Sequence, residues 1–146
     1  MVYLKGFKFP TKSQELDFIH PPETMETITM RLHTGSFYPF EILPDKGLLA
    51  ISFESITILY GGNGCGKTTA LNVIAEKLHL KRDSLFNSGR FFSDYLDMCK
   101  YNEEDFRNYG QFLNQNSRII TSDDVFSFSM KKKGLQQTTV QQDTGC

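Results

Sequence analysis

The run Ile56-Thr57-Ile58-Leu59-Tyr60-Gly61-Gly62-Asn63-Gly64-Cys65-Gly66-Lys67-Thr68-Thr69, continued by Ala70 to Leu78, decides how the rest of the chain is read. Ile56 to Tyr60 is β-branched and nearly continuous in apolar character, which predicts a central strand buried on both faces. Thr68 to Leu80 contains no Gly or Pro and sets Leu71, Ile74, Ala75 and Leu78 at helical spacing, so a helix is expected there. Between strand and helix the pattern G-x-x-x-x-G-K-[ST] is met by Gly61, Gly66, Lys67 and Thr68.

Each residue type in this loop has a physical task. Glycines let the backbone curl so that successive N–H groups point at one anion, in a turn that a Cβ would obstruct. A helix starting near Gly66 adds its free N–H groups and the positive end of its dipole. Lys67 carries a mobile charge toward β- and γ-phosphates, and the Thr68 hydroxyl is placed to ligate Mg²⁺. The expected binding residues are therefore Gly61, Gly62, Asn63, Gly64, Cys65, Gly66, Lys67, Thr68 and Thr69, with ATP or a related nucleoside triphosphate and Mg²⁺ as ligands. Cys65 reads as a replacement for Ser or Ala, although a thiol beside these N–H groups is expected to be somewhat acidic.

Outward from the loop, 146 residues suit one domain. A net charge of -1 supplies no global basic field for nucleic acid. The apolar stretches fall far short of the ~20 residues that span a bilayer, and the N-terminus lacks a signal peptide's uninterrupted apolar run. A cytoplasmic protein without a membrane segment is expected. Cys65, Cys99 and Cys146 form no C-x-x-C pair and have no His at metal-ligand spacing, which argues against zinc and a disulfide framework. With 13 Phe and no Trp, the core is expected to consist largely of Phe and aliphatics.

Alternation predicts strands over Val2 to Phe9 and Thr24 to Leu32, with His20-Pro21-Pro22 as a break between them. Pro44-Asp45-Lys46-Gly47 suits a tight turn between Phe40–Leu43 and Leu48–Ile51. Phe92, Tyr95, Leu96 and Cys99 repeat at helical spacing, Tyr101 to Asn116 is a polar surface helix or loop, and Ser117 to Thr121 is a short strand candidate. Residues 1–129 form the expected nucleotide-binding domain. Residues 130–146 form a polar tail with too few apolar groups to order itself.

The segment Ile56 to Leu78, with its Gly-x-Asn-Gly-x-Gly-Lys-Thr-Thr core, resembles the first nucleotide-binding segment of ABC-type ATPases, particularly bacterial AAA family ATPases related to SMC and DNA-repair proteins. The resemblance implies an α/β fold of the P-loop NTPase type, in which a small antiparallel β-subdomain precedes strand, P-loop and helix. It also implies ATP hydrolysis, with a homodimer or partner protein in the full-length family. Upstream, Tyr38 or Phe40 is a candidate to stack on adenine, with core packing as the plainer reading. The sequence has no Leu-Ser-Gly-Gly signature and no apolar run ending in Asp-Glu after Lys67, as in a truncated or frameshifted version of a longer ATPase.

Asp123 and Asp124 admit three readings. They occupy about the chain position of the family's γ-phosphate-sensing residue; they can be a degenerate Walker B; or Ser122 or Asp123 caps a helix that starts at Asp124. A catalytic role for Asp123 and Asp124 would make the chain a self-sufficient small ATPase or phosphotransferase. The other alternative is a nonenzymatic module whose nucleotide orders the fold. For a phosphotransferase the only basic candidates are Lys81-Arg82 and Arg90, which otherwise read as solvated surface charge.

Overall fold

A computed structural model describes residues 2–21 and 36–140, with only the backbone given for Asp123, residues 133–140 and several positions between 103 and 114. Strand β1 (Gly6–Lys8) leads into helix α1 (Lys12–Ile19), and a 3₁₀ turn (Pro44–Lys46) precedes β2 (Ala50–Ser52). Next come α2 (Lys67–Lys77), α3 (Phe92–Met98), β3 (Lys100–Tyr101), α4 (Glu103–Asn116) and α5 (Ser122–Val140). The Thr24–Leu32 strand candidate lies outside the described residues.

The three strands form an antiparallel sheet in the order β2-β1-β3, with Phe7 opposite both Ile51 and Tyr101. Of these strands only β1 falls on a segment where alternation predicts one, and it is shorter than Val2 to Phe9. Phe7 is fully buried and its ring meets those of Phe9 and Tyr101. Burying such a side chain stabilises the fold by about 1.5–3 kcal/mol.

Helix α1 was not foreseen, yet its start is written in Thr11-Lys12-Ser13-Gln14. The Thr11 hydroxyl accepts from the Gln14 N–H at 3.3 Å, and Gln14 Oε1 accepts from the Thr11 N–H at 2.9 Å, a reciprocal capping box. The helix ends at Ile19, just before His20-Pro21. From it Glu15, 2% exposed, reaches into the core, where Oε2 accepts from the Glu41 N–H at 2.6 Å. Glu15 Oε1 and the Tyr95 hydroxyl are buried there without a hydrogen bond of good geometry.

The core joins β1, the turn at 37–43, α2 and α3. The Phe40 ring, 3% exposed, stacks on Phe18 and meets Tyr95 edge-on, while Tyr38 stacks on Phe92. Both adenine-stacking candidates thus have aromatic partners within the protein, and Phe40 is core. Along α2 and its C-cap the buried apolar residues are Ala70, Val73, Ile74, Ala75 and Leu78; Leu71, expected there, is 45% exposed.

The expected central strand is overturned. Ile56 to Tyr60 forms no strand, and Ile56, Ile58 and Tyr60 are 82%, 82% and 98% exposed. A central strand needs ladder neighbours on both edges, and among the described residues none pairs with this segment. Near Ser117 to Thr121 the ladder is reduced to one parallel bridge, Lys81 to Arg118. Among the described residues no helix is long and apolar enough to cross a membrane.

Candidate functional site

The glycine-rich loop runs straight into α2, whose N-cap is Gly66 in the left-handed region at φ 88°. A Cβ at Gly66 would lie 3.0 Å from Leu43 Cδ2, a tight contact, and would be strained at this φ whatever the space. At the other end Gly61 has φ 155°, and a Cβ there would stand 2.6 Å from Cys65 Sγ. Both glycines of the sequence pattern thus hold backbone conformations that L side chains rarely adopt, with close neighbours added.

Lys67, the first residue of α2, turns its ammonium back into the loop. Nζ donates to the carbonyl oxygens of Gly61 at 2.5 Å and Gly62 at 2.8 Å, and to Cys65 Sγ at 3.2 Å. The charge thus sits inside the curl where a bound phosphate would be expected. Lys67 beside Cys65 lowers the thiol's pKa from the ordinary cysteine value, chiefly through that hydrogen bond.

Asn63, Gly64, Cys65, Gly66, Lys67, Thr68 and Thr69 line one wall of a cleft of about 530 Å³. The opposite wall comprises Glu41, Ile42, Asp45 and Lys46. Sequence reasoning placed no site residue on that wall. The cleft has a cation on a flexible stem, an exposed Thr68 hydroxyl and a helix N-terminus at one end, a donor set suited to a polyphosphate with its metal.

Asp124 is placed elsewhere. Helix α5 starts at Ser122, and Asp124 Oδ2 accepts from the Thr121 N–H at 2.7 Å, the Thr121 hydroxyl at 2.9 Å and the Ser84 hydroxyl at 3.2 Å. These bonds, led by the Thr121 N–H, hold its carboxyl below the usual range. The arrangement resembles one half of a capping box, with Thr121 rather than Ser122 or Asp123 at the cap position. Asp123 lies in the same first turn, and its side chain is not described.

Of the basic candidates, Arg82 is structural rather than solvated. Its guanidinium donates to Asn72 Oδ1 at 2.7 Å and Glu76 Oε1 at 3.2 Å and lies 4.1 Å from the Phe86 ring centroid. It pins the chain after α2 to that helix. Lys81 donates to the Gln115 carbonyl at 2.5 Å.

A glycine loop of this spacing, capped by a helix whose first residue is an inward-turned lysine, defines a P-loop nucleotide-binding protein. Comparison with family models sharpens that class: the ABC transporter model matches residues 48–144, about two thirds of the chain. The chain belongs to the ABC transporter family and so to the ABC-type P-loop ATPases. No curated protein and no solved structure matches it significantly.

Proposed function

We propose that the chain binds ATP with Mg²⁺ in the cleft between the loop Gly61–Thr68 and the turn 41–46. The observation that carries this reading is the Lys67 ammonium, held inside the loop by the Gly61 and Gly62 carbonyls. Those neutral acceptors are weaker partners for an ammonium than a phosphate oxyanion, so binding exchanges them for bonds in which both partners are charged. Gly62 to Thr69 would supply the backbone donors, and the Thr68 hydroxyl would serve as the protein's ligand to Mg²⁺.

Within the family, the glycine core and the β-subdomain ahead of it favour an SMC-like AAA family ATPase. The motifs that complete hydrolysis in that scheme are missing from these residues, which favours binding over turnover. Titration calorimetry with Mg·ATP tests the site. Lys67→Ala is expected to weaken binding at least about tenfold, since a hydrogen bond to a charged group is worth ~1.5–3 kcal/mol. Equal affinity in the two proteins would sink the assignment.

A further inference from the structure

The wall facing the P-loop carries carboxylates where phosphates are to bind nearby. Glu41 and Asp45 both line the cleft, with Ile42 between them and Lys46 beside Asp45. Carboxylates repel a polyphosphate and accept hydrogen bonds from neutral donors. A nucleotide has both kinds of end: the triphosphate is anionic, while ribose hydroxyls and a base amino group are neutral donors.

The wall is also built to stay in place. Glu41 has a left-handed backbone at φ 62°, and its N–H is held by the buried Glu15 carboxylate. Leu43 is fully buried, Lys12 pairs with Asp45 at 2.8 Å, and Gly47 closes the 3₁₀ turn by donating to the Pro44 carbonyl. Behind the wall Glu15, Glu41 and Asp45 line a small hollow of about 50 Å³.

We propose that the turn from Glu41 to Lys46 is the nucleoside wall of the cleft, with the Glu41 and Asp45 carboxylates accepting hydrogen bonds from the neutral donors of the bound nucleotide. This rests on the P-loop reading above and adds to it the end of the ligand that the loop does not hold. The phosphates lie against Gly62 to Thr69, the nucleoside lies against 41–46, and the site prefers a nucleotide over a bare polyphosphate.

The test compares ATP, 2′,3′-dideoxy-ATP, inosine triphosphate and inorganic tripolyphosphate, each with Mg²⁺, on the full chain and on Glu41→Ala and Asp45→Ala. ATP is expected to bind at least about tenfold more tightly than tripolyphosphate. Loss of the ribose hydroxyls or of the base amine should cost about tenfold in the wild type, and the two analogues separate these donors. At least one alanine variant should bring ATP down to that analogue's level and leave tripolyphosphate unchanged. Equal binding of ATP and both analogues overturns the inference, as does an equal loss for ATP and tripolyphosphate in the variants, which would assign the carboxylates to the metal or the phosphates. In both cases the P-loop site stands. Failure of the folded wild type to bind either ATP or tripolyphosphate overturns the inference together with the reading beneath it.

Discussion

Gly61 and Cys65 share a space that holds one side chain: a Cβ at position 61 would lie 2.6 Å from the Cys65 Sγ. The backbone at Gly61, φ 155°, is also one that L-residues rarely adopt. Gly61→Ala is therefore expected to displace the loop and weaken Mg·ATP binding about tenfold or more, through both clash and strain. The double variant Gly61→Ala/Cys65→Gly removes the clash and leaves the strain, so it should recover part of the loss. Calorimetry on the three proteins checks this; identical affinities in Gly61→Ala and wild type would show that the loop does not bind in this conformation.

The two described cysteines differ in opposite directions. Lys67 lowers the Cys65 pKa, whereas burial pushes the Cys99 thiol up to about 12. Thiolate is the alkylating species, so at neutral pH iodoacetamide should modify Cys65 first and leave Cys99 intact until the protein unfolds. Mg·ATP should slow the reaction at Cys65 by covering the loop. Peptide mapping by mass spectrometry reads both sites, and modification of Cys99 at the same rate would contradict the environments described.

Glu15 gives stability a pH dependence. Desolvation raises its pKa above the ordinary carboxylate value, with Glu41 and Asp45 adding repulsion and the Glu41 N–H opposing the rise. A raised pKa means that the folded state binds its proton more readily than the unfolded state. The associated stability is complete below the unfolded value and is lost as pH rises through the folded one. Glu15→Gln keeps an acceptor for the Glu41 N–H and removes the titration. Wild type should therefore lose stability relative to Glu15→Gln as pH rises from the mildly acidic range to neutrality. Denaturant titrations along that range would show parallel curves if Glu15 does not titrate this way.

How much of this was legible depended on whether the signal was local. The glycine loop and the helix after it were, because glycine spacing and helical periodicity are properties of consecutive residues. The cap of α1 was also legible, in Thr11 and Gln14, but the helix has little apolar periodicity to draw attention to it. The strand expected at Ile56 to Tyr60 shows the limit: β-branched composition states a preference, and a ladder needs partners that composition does not supply. The acidic wall was illegible for a similar reason. Glu41 lines the cleft together with Lys67, on a turn whose Glu41 N–H is held by Glu15, 26 residues away.

Helix α5 offers a test of the domain boundary expected near residue 130. Its backbone is helical to Val140, yet Val125 to Lys132 are all exposed. A helical stretch whose described side chains are all exposed draws mainly on intrinsic propensity, which is marginal for isolated segments in water. Amides from about 125 onward should exchange rapidly, while those of α2 are protected by Val73 and Ile74 in the core. Protection across 130–140 equal to that of α2 would make this segment part of the folded domain.

The chain should bind Mg·ATP without turning it over efficiently. A P-loop grips phosphates in ground state and transition state alike, and uniform binding does not lower the chemical barrier. Rate must come from a group that orients water and from one that covers the γ-phosphate. Neither an Asp-Glu pair at the end of an apolar run nor a Leu-Ser-Gly-Gly signature follows Lys67. Asp124, the nearest alternative on sequence grounds, spends Oδ2 on Thr121 and Ser84. Asp124→Asn should accordingly lower thermal stability through the start of α5 and leave ATP affinity unchanged. For hydrolysis, purified protein with Mg·ATP is compared with Lys67→Ala and with Asp123→Asn/Asp124→Asn. Phosphate release far below ~1 s⁻¹, the low end of ordinary enzymes, is expected in all three. Release near that rate in the wild type, lost in both variants, would establish a self-sufficient ATPase in which these aspartates act on the γ-phosphate or its attacking water.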